Sequence, residues 1–527
     1  ADAGIAHSYD GPWEHFVGGG VASFDCSGDR KPDLLLAGGS NPARLYLNQS
    51  AIGGELAFEE RALDLPERLL TGVIGAYPLD IDGDAHLDLA ILRVGQNLLL
   101  KGGPDCSFTR ANSVWGYDGG RAWTTAFAAT WERGLPAPTL AFGNYIDRTA
   151  PGSPWGTCDA NVLARPAETE SGAIDYAEAL PLDPGHCALS MLFTDWNRSG
   201  TPALRITNDR HYYRGGEEQL WQMREGRAPR LFTAGEGWER LTIWGMGIAE
   251  ADLDADGLPE YALTSMGDTK LQTLDEEIIE EDRPTYRDIA FERGATAHRP
   301  YAGGDIRPST GWHAQFADVN NDSLTDLFIA KGNVEAMPDF AANDPDNLLL
   351  GRWDGVFAES GETAGIARPT RGRGGAVVDL NLDGLLDLVV VNRAAPTAVF
   401  RNRGAAEDWG TRPMGNWLQI ELSQEAATGP ADIIGADWDG TNRTAVGAKL
   451  HIRIGNRTIV RQVQVGGGHA SGQAGWIHVG LGVSERASVR VQWPDGAWSH
   501  PYRVFANQFV VLKRGAGEAA YWYPAQD

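Results

Sequence analysis

A short acidic pattern recurs along the chain with the spacing of a cation-binding loop. Five copies each place oxygen-bearing side chains at positions 1, 3, 5 and 9 of nine residues. A tight turn with this spacing can wrap a hard cation such as calcium, which prefers oxygen ligands. The predicted ligands are, loop by loop, Asp25, Ser27, Asp29 and Asp33; Asp80, Asp82, Asp84 and Asp88; Asp252, Asp254, Asp256 and Glu260; Asp318, Asn320, Asp322 and Asp326; and Asp379, Asn381, Asp383 and Asp387.

The alternative is an ordinary turn, because Asp, Asn and Ser side chains also bond to nearby backbone without any metal. Five copies in phase favour about five calcium sites. The loops that begin at Asp80 and Asp252 carry a full carboxylate set and are expected to bind most tightly. At position 6, Arg30, Ala85 and Ser323 stand where glycine would adopt a positive φ freely, at a cost of about 1 kcal/mol each.

The predicted ions are structural rather than catalytic. A catalytic metal keeps a coordination position open for water or substrate, whereas these loops are expected to supply the oxygens of the shell themselves.

The segments that flank each loop identify the element that carries it. Position 12 falls in an apolar run such as LDLAILRV or LDLVVVNR rather than on the bidentate Glu of an EF-hand, so the unit is strand, loop, strand. Repeats of roughly 50 to 66 residues with this content are typical of propeller blades. Two weaker copies lie near Thr130 and at Asp195, where Ala203 replaces the last carboxylate. The count predicts an all-β, seven-bladed propeller.

The repeats resemble the FG-GAP/VCBS type of integrin α-subunit propellers and of many secreted bacterial proteins. Downstream, the sequence resembles the ASPIC/UnbV domain that follows such repeats in the cartilage acidic protein family. The matching landmarks are Asn442, Arg443, Gly447, Ala448, Gly466, Gly467, Gly468, Ser471, Gly480, Leu481, Gly482, Trp493, Pro494, Asp495 and Gly496. The resemblance implies a propeller over residues 1–410, a small sandwich-like β domain over 411–515 and an aromatic tail over 516–527.

Composition agrees with an extracellular setting and disfavours some partners. The 45 lysines and arginines stand against 71 aspartates and glutamates, for a net charge of −26. This charge disfavours nucleic acid and anionic membranes. No apolar run is long enough to span a membrane. We expect a secreted or cell-surface protein whose signal peptide has been removed.

The four cysteines are even in number and show no CxxC spacing, which favours two disulfides over zinc or redox chemistry. Cys26 lies between the first two predicted strands of unit one and Cys106 between the last two of unit two, and such loops emerge on one face of a propeller. Cys158 and Cys187 share the long segment between units three and four. The expected pairs are Cys26 with Cys106 and Cys158 with Cys187; four free or buried thiols are the alternative.

Evidence for enzyme chemistry is thin. The chain has no HExxH or G-x-S-x-G motif and no P-loop. His469, in the glycine-rich turn, is interpreted as a surface or packing residue. We therefore expect a module for adhesion, binding or matrix assembly, with a protein or glycan partner at the cell surface or matrix. The alternative is a lyase, dehydratase or carbohydrate-active enzyme with its site in the propeller funnel.

Two structural questions stay open at this point. Tyr521, Trp522 and Tyr523 form an aromatic tail that packs either on its own chain or on a neighbour, and the second option would allow oligomers or fibres. The strand that closes the ring comes from the N-terminal segment, from the C-terminal domain or from another subunit.

Overall fold

The computed structural model describes residues 3–169, 172–209, 215–275, 283–296, 310–335, 341–405, 414–424 and 441–525. The predicted domain boundary at 410 lies outside these residues. Among the described residues, no helix has the length and apolarity needed to cross a membrane.

Seven antiparallel sheets, here called blades 1 to 7, follow one another along the described part of the chain up to residue 400. Their strands are β1 (Val21–Phe24), β2 (Asp33–Leu36), β3 (Arg44–Asn48) and β4 (Phe58–Arg61) in blade 1; β5 (Val73–Leu79), β6 (Asp88–Arg93), β7 (Leu98–Gly103) and β8 (Ser107–Arg110) in blade 2; β9 (Thr124–Thr130), β10 (Thr139–Asn144), β11 (Asn161–Ala164) and β14 (Ala179–Leu182) in blade 3, with the hairpin β12 (Ala167–Glu168) and β13 (Ile174–Asp175); β15 (Ala188–Thr194), β16 (Ala203–Asn208), β17 (Gln219–Gln222) and β18 (Arg230–Leu231) in blade 4; β19 (Gly245–Ala251), β20 (Glu260–Ser265), β21 (Lys270–Leu274) and β22 (Tyr286–Asp288) in blade 5; β23 (Gly311–Ala317), β24 (Asp326–Lys331), β25 (Asn347–Gly351) and β26 (Phe357–Glu359) in blade 6; and β27 (Gly372–Val378), β28 (Asp387–Asn392) and β29 (Ala398–Phe400) in blade 7.

The blades form a closed ring. The first strand of each blade contacts the first strand of the next, from β1 through β27 and back to β1. The first two strands of the blades are almost wholly buried, whereas outer strands such as β4 and β22 expose most of their residues. The all-β propeller class is therefore confirmed. A 3-10 turn at Trp13–His15 precedes β1, and three further short helical turns connect strands: α1 (Glu67–Leu70) and 3-10 turns at Pro104–Cys106 and Ala234–Glu236.

The N-terminal segment lies where the ring closes between blades 7 and 1. The N–H of Thr397 donates to the carbonyl of His7 at 2.9 Å, and the N–H of Ala394 donates to the carbonyl of Tyr9 at 2.8 Å. The N–H of Asp10 donates to Gly38 in blade 1. The segment thus bridges the first and last blades.

The C-terminal domain is a sandwich of two four-stranded sheets with its own apolar core. Its strands are β30 (Asn416–Ser423), β31 (Lys449–Ile454), β32 (Arg457–Gln462), β33 (Gly472–Gln473), β34 (Ile477–Gly482), β35 (Arg486–Gln492), β36 (Tyr502–Phe505), β37 (Gln508–Lys513) and β38 (Ala520–Trp522). The sheet orders are β34-β30-β37-β38 and β32-β31-β35-β36, while β33 leaves the domain and pairs in parallel with β1 of the propeller.

The aromatic tail packs on its own chain. β38 extends the sandwich by pairing with β37, and Trp522 contacts the rings of Trp476 and Phe509 at centroid distances of 5.6 and 5.4 Å. Tyr523 alone of the three tail aromatics stays largely exposed, at 70%.

The two expected disulfides are confirmed. Cys26 is bonded to Cys106, which ties blade 1 to blade 2, and Cys158 is bonded to Cys187, which ties the long blade 3 segment to the start of blade 4.

Candidate calcium loops and the domain interface

The five predicted loops connect the first and second strands of blades 1, 2, 5, 6 and 7 and share one backbone conformation. Position 4 has a positive φ in every loop, and so does position 6, including Arg30, Ala85 and Ser323. The non-glycine residues at position 6 therefore adopt the same left-handed turn as Gly257 and Gly384. In the weaker loop of blade 4, Arg198 at position 4 and Gly200 at position 6 also have a positive φ.

The carboxylates at positions 1 and 9 hold each turn together. In the blade 2 loop, Asp80 accepts the N–H groups of Gly83 and Ala85, at 2.8 and 3.1 Å. Asp88 accepts the N–H of Ile81 at 2.7 Å and, through its other oxygen, that of Gly102 at 2.8 Å. Asp33, Asp326 and Asp387 likewise accept one backbone N–H with each carboxylate oxygen, one from the loop and one from further along the chain. These bonds leave further lone pairs on each carboxylate, since an ionised carboxyl group accepts about four hydrogen bonds.

Two loops bring three carboxylates together. Ligand oxygens of Asp80, Asp82 and Asp88 lie within 4.8 Å of one another, and so do those of Asp252, Asp254 and Glu260. These are the two loops with full carboxylate sets. In blade 2, Lys101 contacts Asp82 and lies 2.8 Å from Asp84. In blade 5, Asp256 turns back to accept the N–H of Leu258 at 2.6 Å.

In the other three loops the side chains at positions 3 and 5 make local contacts. Ser27 donates to Asp25, while Asp29 pairs with Lys31 at 3.1 Å. Asn320 donates to Asp322 at 3.1 Å. Asn381 donates to the carbonyl of Gly54, and Asp383 lies 3.8 Å from Arg401. The sulfur atoms beside Asp33 belong to the Cys26–Cys106 disulfide, so they are not thiolate ligands.

Burial raises the pKa of the end carboxylates well above the usual range. The pKa rises to about 8 for Asp88, Glu260 and Asp387, with burial as the largest cause. For Asp318 and Asp379 it rises to about 7, through burial and then the neighbouring carboxylate at position 5. Such clustered, desolvated carboxylates favour a bound cation, because a positive charge offsets both the repulsion and the desolvation.

The C-terminal domain covers the propeller face that bears these loops. Gln419 donates to Asp379 at 3.2 Å, His478 lies 2.6 Å from Asn321, and Gln464 donates to Glu250 at 2.6 Å. Basic side chains add to the interface. Arg443 donates to the carbonyl of Gly83, and Lys449 lies 2.8 Å from Asp195.

In the weaker loop of blade 4, the position-1 carboxylate contacts a lysine of the C-terminal domain. This loop lacks the last carboxylate because Ala203 occupies position 9. Its Asp195 accepts the N–H of Gly200 with one oxygen and pairs with the Lys449 ammonium through the other. Lys449 of the C-terminal domain thus places a positive charge beside the incomplete loop of blade 4.

Family models match two regions of the chain. The family model for ASPIC and UnbV matches residues 438–519, and the FG-GAP-like repeat model matches residues 318–390. The chain thus contains an FG-GAP-like repeat region and, downstream of it, an ASPIC/UnbV region. The FG-GAP match covers the loops of blades 6 and 7.

The match to curated relatives covers about half of this chain and about a third of each relative. Cartilage acidic protein 1 of Mus musculus is 27% identical over 259 residues, or 48% of this chain and 34% of that protein. The Homo sapiens protein of the same name is 26% identical over 258 residues, or 48% of this chain and 33% of that protein. The chain thus matches about a third of the length of these relatives. Among solved structures, BBS1N in complex with ARL6DN gives a TM-score of 0.41 at 9% identity, covering 76% of this chain and 95% of that one.

The ASPIC/UnbV domain inserts a glycine-rich segment, residues 465–475, into the centre of the ring; we call it the plug. Its backbone forms bridges to the first strands of blades 2, 3 and 5 and pairs with β1. His469 is fully buried at its tip. Its Nε2 accepts the N–H of Gly18 at 3.0 Å, while its Nδ1 lies 3.2 Å from the carbonyl of Leu189. Burial lowers the pKa of His469 to about 3, so the ring is neutral.

The plug occupies the propeller funnel in which the alternative interpretation places an enzyme site. From the other face, Trp13, Phe16 and Val17 approach Trp123 and Trp312 around a cavity of about 40 Å³. A larger cavity of about 310 Å³ lies between the propeller face and the ASPIC/UnbV domain. Two charged groups that line it are bonded across the interface, Glu250 to Gln464 and Asp195 to Lys449. Asp252 also lines the cavity, and one of its buried oxygens has no hydrogen-bond partner among the described residues. The funnel alternative stays a prediction.

The plug is the main element that sequence reasoning missed. The Gly466, Gly467 and Gly468 run was a visible signal, but it was interpreted only as a family landmark. Glycines at the innermost strands are a second signal, because Gly20, just before β1, and Gly75, in β5, approach the carbonyl of Ala470 too closely for any side chain.

Proposed function

We propose that this protein is an extracellular, calcium-stabilised propeller that acts as a binding or matrix-assembly module. The observation that carries the proposal is the convergence of three carboxylates in each of the blade 2 and blade 5 loops, on the face that contacts the ASPIC/UnbV domain. Two disulfides and the resemblance to proteins named cartilage acidic protein support the extracellular setting.

The donor set fits calcium better than other metals. Every proposed ligand is a carboxylate, amide or hydroxyl oxygen, which suits calcium and magnesium, and the set offers no histidine or thiolate for zinc. A bound ion would fix the turns to which the ASPIC/UnbV domain is attached. Calcium would therefore stabilise the domain interface as well as the loops.

The test is thermal unfolding of the purified chain in millimolar calcium and in excess chelator. Calcium is expected to raise the midpoint, with a gain in unfolding free energy of about 2.7 kcal/mol when free calcium reaches about 100 times its Kd. Asp88→Asn and Glu260→Gln are expected to reduce this calcium-dependent gain. Identical midpoints of the unaltered protein in calcium and chelator would exclude the calcium role.

Asp346→Asn is the matched control. Asp346 is also buried, also accepts a backbone N–H (Lys331, 2.8 Å) and also has its pKa raised to about 7, chiefly by burial, but it lies outside the acidic loops. We expect this variant to lose stability equally in calcium and chelator and to keep the full calcium-dependent gain.

Sedimentation and electron microscopy in calcium and in chelator test the assembly part of the proposal. Calcium-dependent oligomers or filaments are expected of a matrix-assembly module. A monomer in both conditions would restrict the proposal to a binding module.

A further inference from the structure

The part of the ASPIC/UnbV domain over residues 441–525 is basic although the protein is strongly acidic. These residues contain ten lysines and arginines against three aspartates and glutamates, whereas residues 416–440 contain five acidic residues and no basic one, and the whole chain carries a net charge of −26. Part of this positive charge meets the propeller, through Arg443, Lys449 and Arg461. The rest requires a different explanation.

Four arginines lie on the outer surface of the sheet β32-β31-β35-β36. Strand alternation turns Leu450, Ile452, Val489 and Val491 into the sandwich core and the intervening residues outward. We define the arginine face as the outward residues Arg453, Arg486, Arg490 and Arg503 together with His451, Trp498 and Phe505.

The strand register brings these residues into one patch. Ser488 pairs with Arg453 on one side and with Arg503 on the other, so the two arginines flank it on neighbouring strands. Arg490 pairs with His451, and Arg486 pairs with Phe505. With strands about 5 Å apart and a two-residue step of about 7 Å, the four backbone positions lie within about 15 Å.

The four arginines form no ion pair with any described residue of the chain. Of the acidic residues in the same part of the chain, Asp495 pairs with Arg514, and Glu485 lies just before β35. Arg490 instead lies over the Trp498 ring at 4.7 Å, and Arg486 lies over Phe505 at 5.3 Å. Both rings remain open to solvent, at 45% and 57% exposure.

We propose that the arginine face binds an anionic polysaccharide, one that bears sulfate or carboxylate groups on its sugars. Guanidinium groups form two parallel hydrogen bonds with such anions, and arginine is preferred over lysine for that recognition. Exposed aromatic rings supply flat apolar surface for the C–H faces of sugar rings. The net charge of the whole chain opposes every polyanion alike, so binding depends on the local positive charge of the arginine face.

A second copy of this chain fits the face less well. The position-9 carboxylates of the acidic loops are buried, and the ASPIC/UnbV domain of the same chain already contacts the loops of blades 2 and 7. A separate polyanion has no such obstacle. This inference rests on the extracellular role proposed above, but its test does not depend on calcium-dependent stability.

The test is retention of the full chain on heparin-agarose and on hyaluronan-agarose, with neutral agarose as the blank. Heparin reports sulfated sugars and hyaluronan reports carboxylated sugars. We expect retention on at least one of the two and elution by salt, because the contacts are ionic. The triple variant R453S/R490S/R503S is expected to weaken binding about tenfold or more, since each contact is a charge-assisted hydrogen bond.

A charge-matched triple variant controls for net charge. R287S/R352S/R403S removes three exposed arginines of the propeller, each within ion-pair distance of an acidic residue, and is expected to bind as the unaltered chain does. Phe505→Ser changes no charge, and it is expected to weaken retention if sugar rings pack on the face. Unchanged thermal unfolding establishes that each variant is folded.

Several results would overturn the proposal. These are no retention of the unaltered chain, equal loss in both triple variants, or displacement by poly-glutamate as effective as by soluble heparin, which would indicate an acidic protein as the partner. A concentration-dependent dimer that the arginine-face variant abolishes, without polysaccharide retention, would assign the face to a second copy. Failure here with an intact calcium response would leave the proposed function standing.

Discussion

Lys101 is the residue whose position has the clearest consequence for the blade 2 loop. Its ammonium group contacts Asp82 and lies 2.8 Å from Asp84, both proposed calcium ligands. A lysine and a divalent cation would compete for the same oxygens. We predict that Lys101→Met raises the calcium affinity of one site about tenfold, because a like charge about 5 Å away is removed. It should also lower the unfolding midpoint in chelator, where the carboxylates lose their partner.

Calcium titration by calorimetry, together with unfolding in chelator, measures both effects. Lys270→Met is the matched control, because Lys270 also bridges two aspartates, Asp268 at 2.9 Å and Asp288 at 3.1 Å, outside the acidic loops. The control should lose stability and leave the calcium titration unchanged. An unchanged titration for Lys101→Met would mean that calcium does not use Asp82 and Asp84.

Among the elements, the plug depends on glycines in the first strands of the blades. A Cβ on Gly75 of β5 would lie 2.1 Å from the carbonyl oxygen of Ala470, a backbone atom that cannot rotate away. The φ of Gly75 lies outside the left-handed region, so alanine there adds a steric clash without backbone strain. We predict that Gly75→Ala lowers the free energy of unfolding by about 1 to 3 kcal/mol and exposes residues 465–475 to proteases.

Gly235→Ala controls for the loss of a glycine. The nearest atom to a Cβ there is 3.9 Å away, and its φ is not positive, so the free energy of unfolding should change by about 0.5 kcal/mol or less. Chemical denaturation and limited proteolysis are the measurements. If Gly75→Ala resisted both as the unaltered protein does, the plug would not be seated against β5.

The sequence allowed the blades and loops to be predicted because both are local and repeated. Apolar runs after each acidic loop predict the second strands, and the recurring nine-residue spacing places the loops between strands. The plug could not be predicted in the same way. β33 is two residues long and pairs with a strand about 450 positions earlier, so only tertiary structure specifies it. The cations at the loops, Lys101 and Lys449, come from other elements and follow no local pattern.

At the scale of the whole molecule, opposite charges are divided between the propeller loops and residues 441–525 of the C-terminal domain. The acidic loops of the propeller face a segment in which basic residues outnumber acidic ones, so docking of this segment relieves repulsion within the propeller. Composition alone predicted an acidic protein. Composition could not reveal this division, because the net charge of −26 is a sum over the whole chain.

The disulfides act on the whole ring, and their loop lengths predict unequal contributions to stability. Cys26–Cys106 closes a separation of 80 residues, and Cys158–Cys187 closes one of 29. A longer loop removes more entropy from the unfolded chain, about 4.5 kcal/mol against about 3.5 kcal/mol at 25 °C. We predict that C26A/C106A loses about 1 kcal/mol more unfolding free energy than C158A/C187A, measured by denaturant unfolding in chelator.

The two pairs are well matched for this comparison. Each joins one buried cysteine, Cys106 or Cys187, to one partly buried cysteine, so the packing lost on truncation is similar. Chelator removes any contribution of calcium at the blade 1 loop, in which Cys26 occupies position 2. An equal or larger loss for C158A/C187A would show that native contacts of the long blade 3 segment, rather than chain entropy, dominate the contribution of its disulfide.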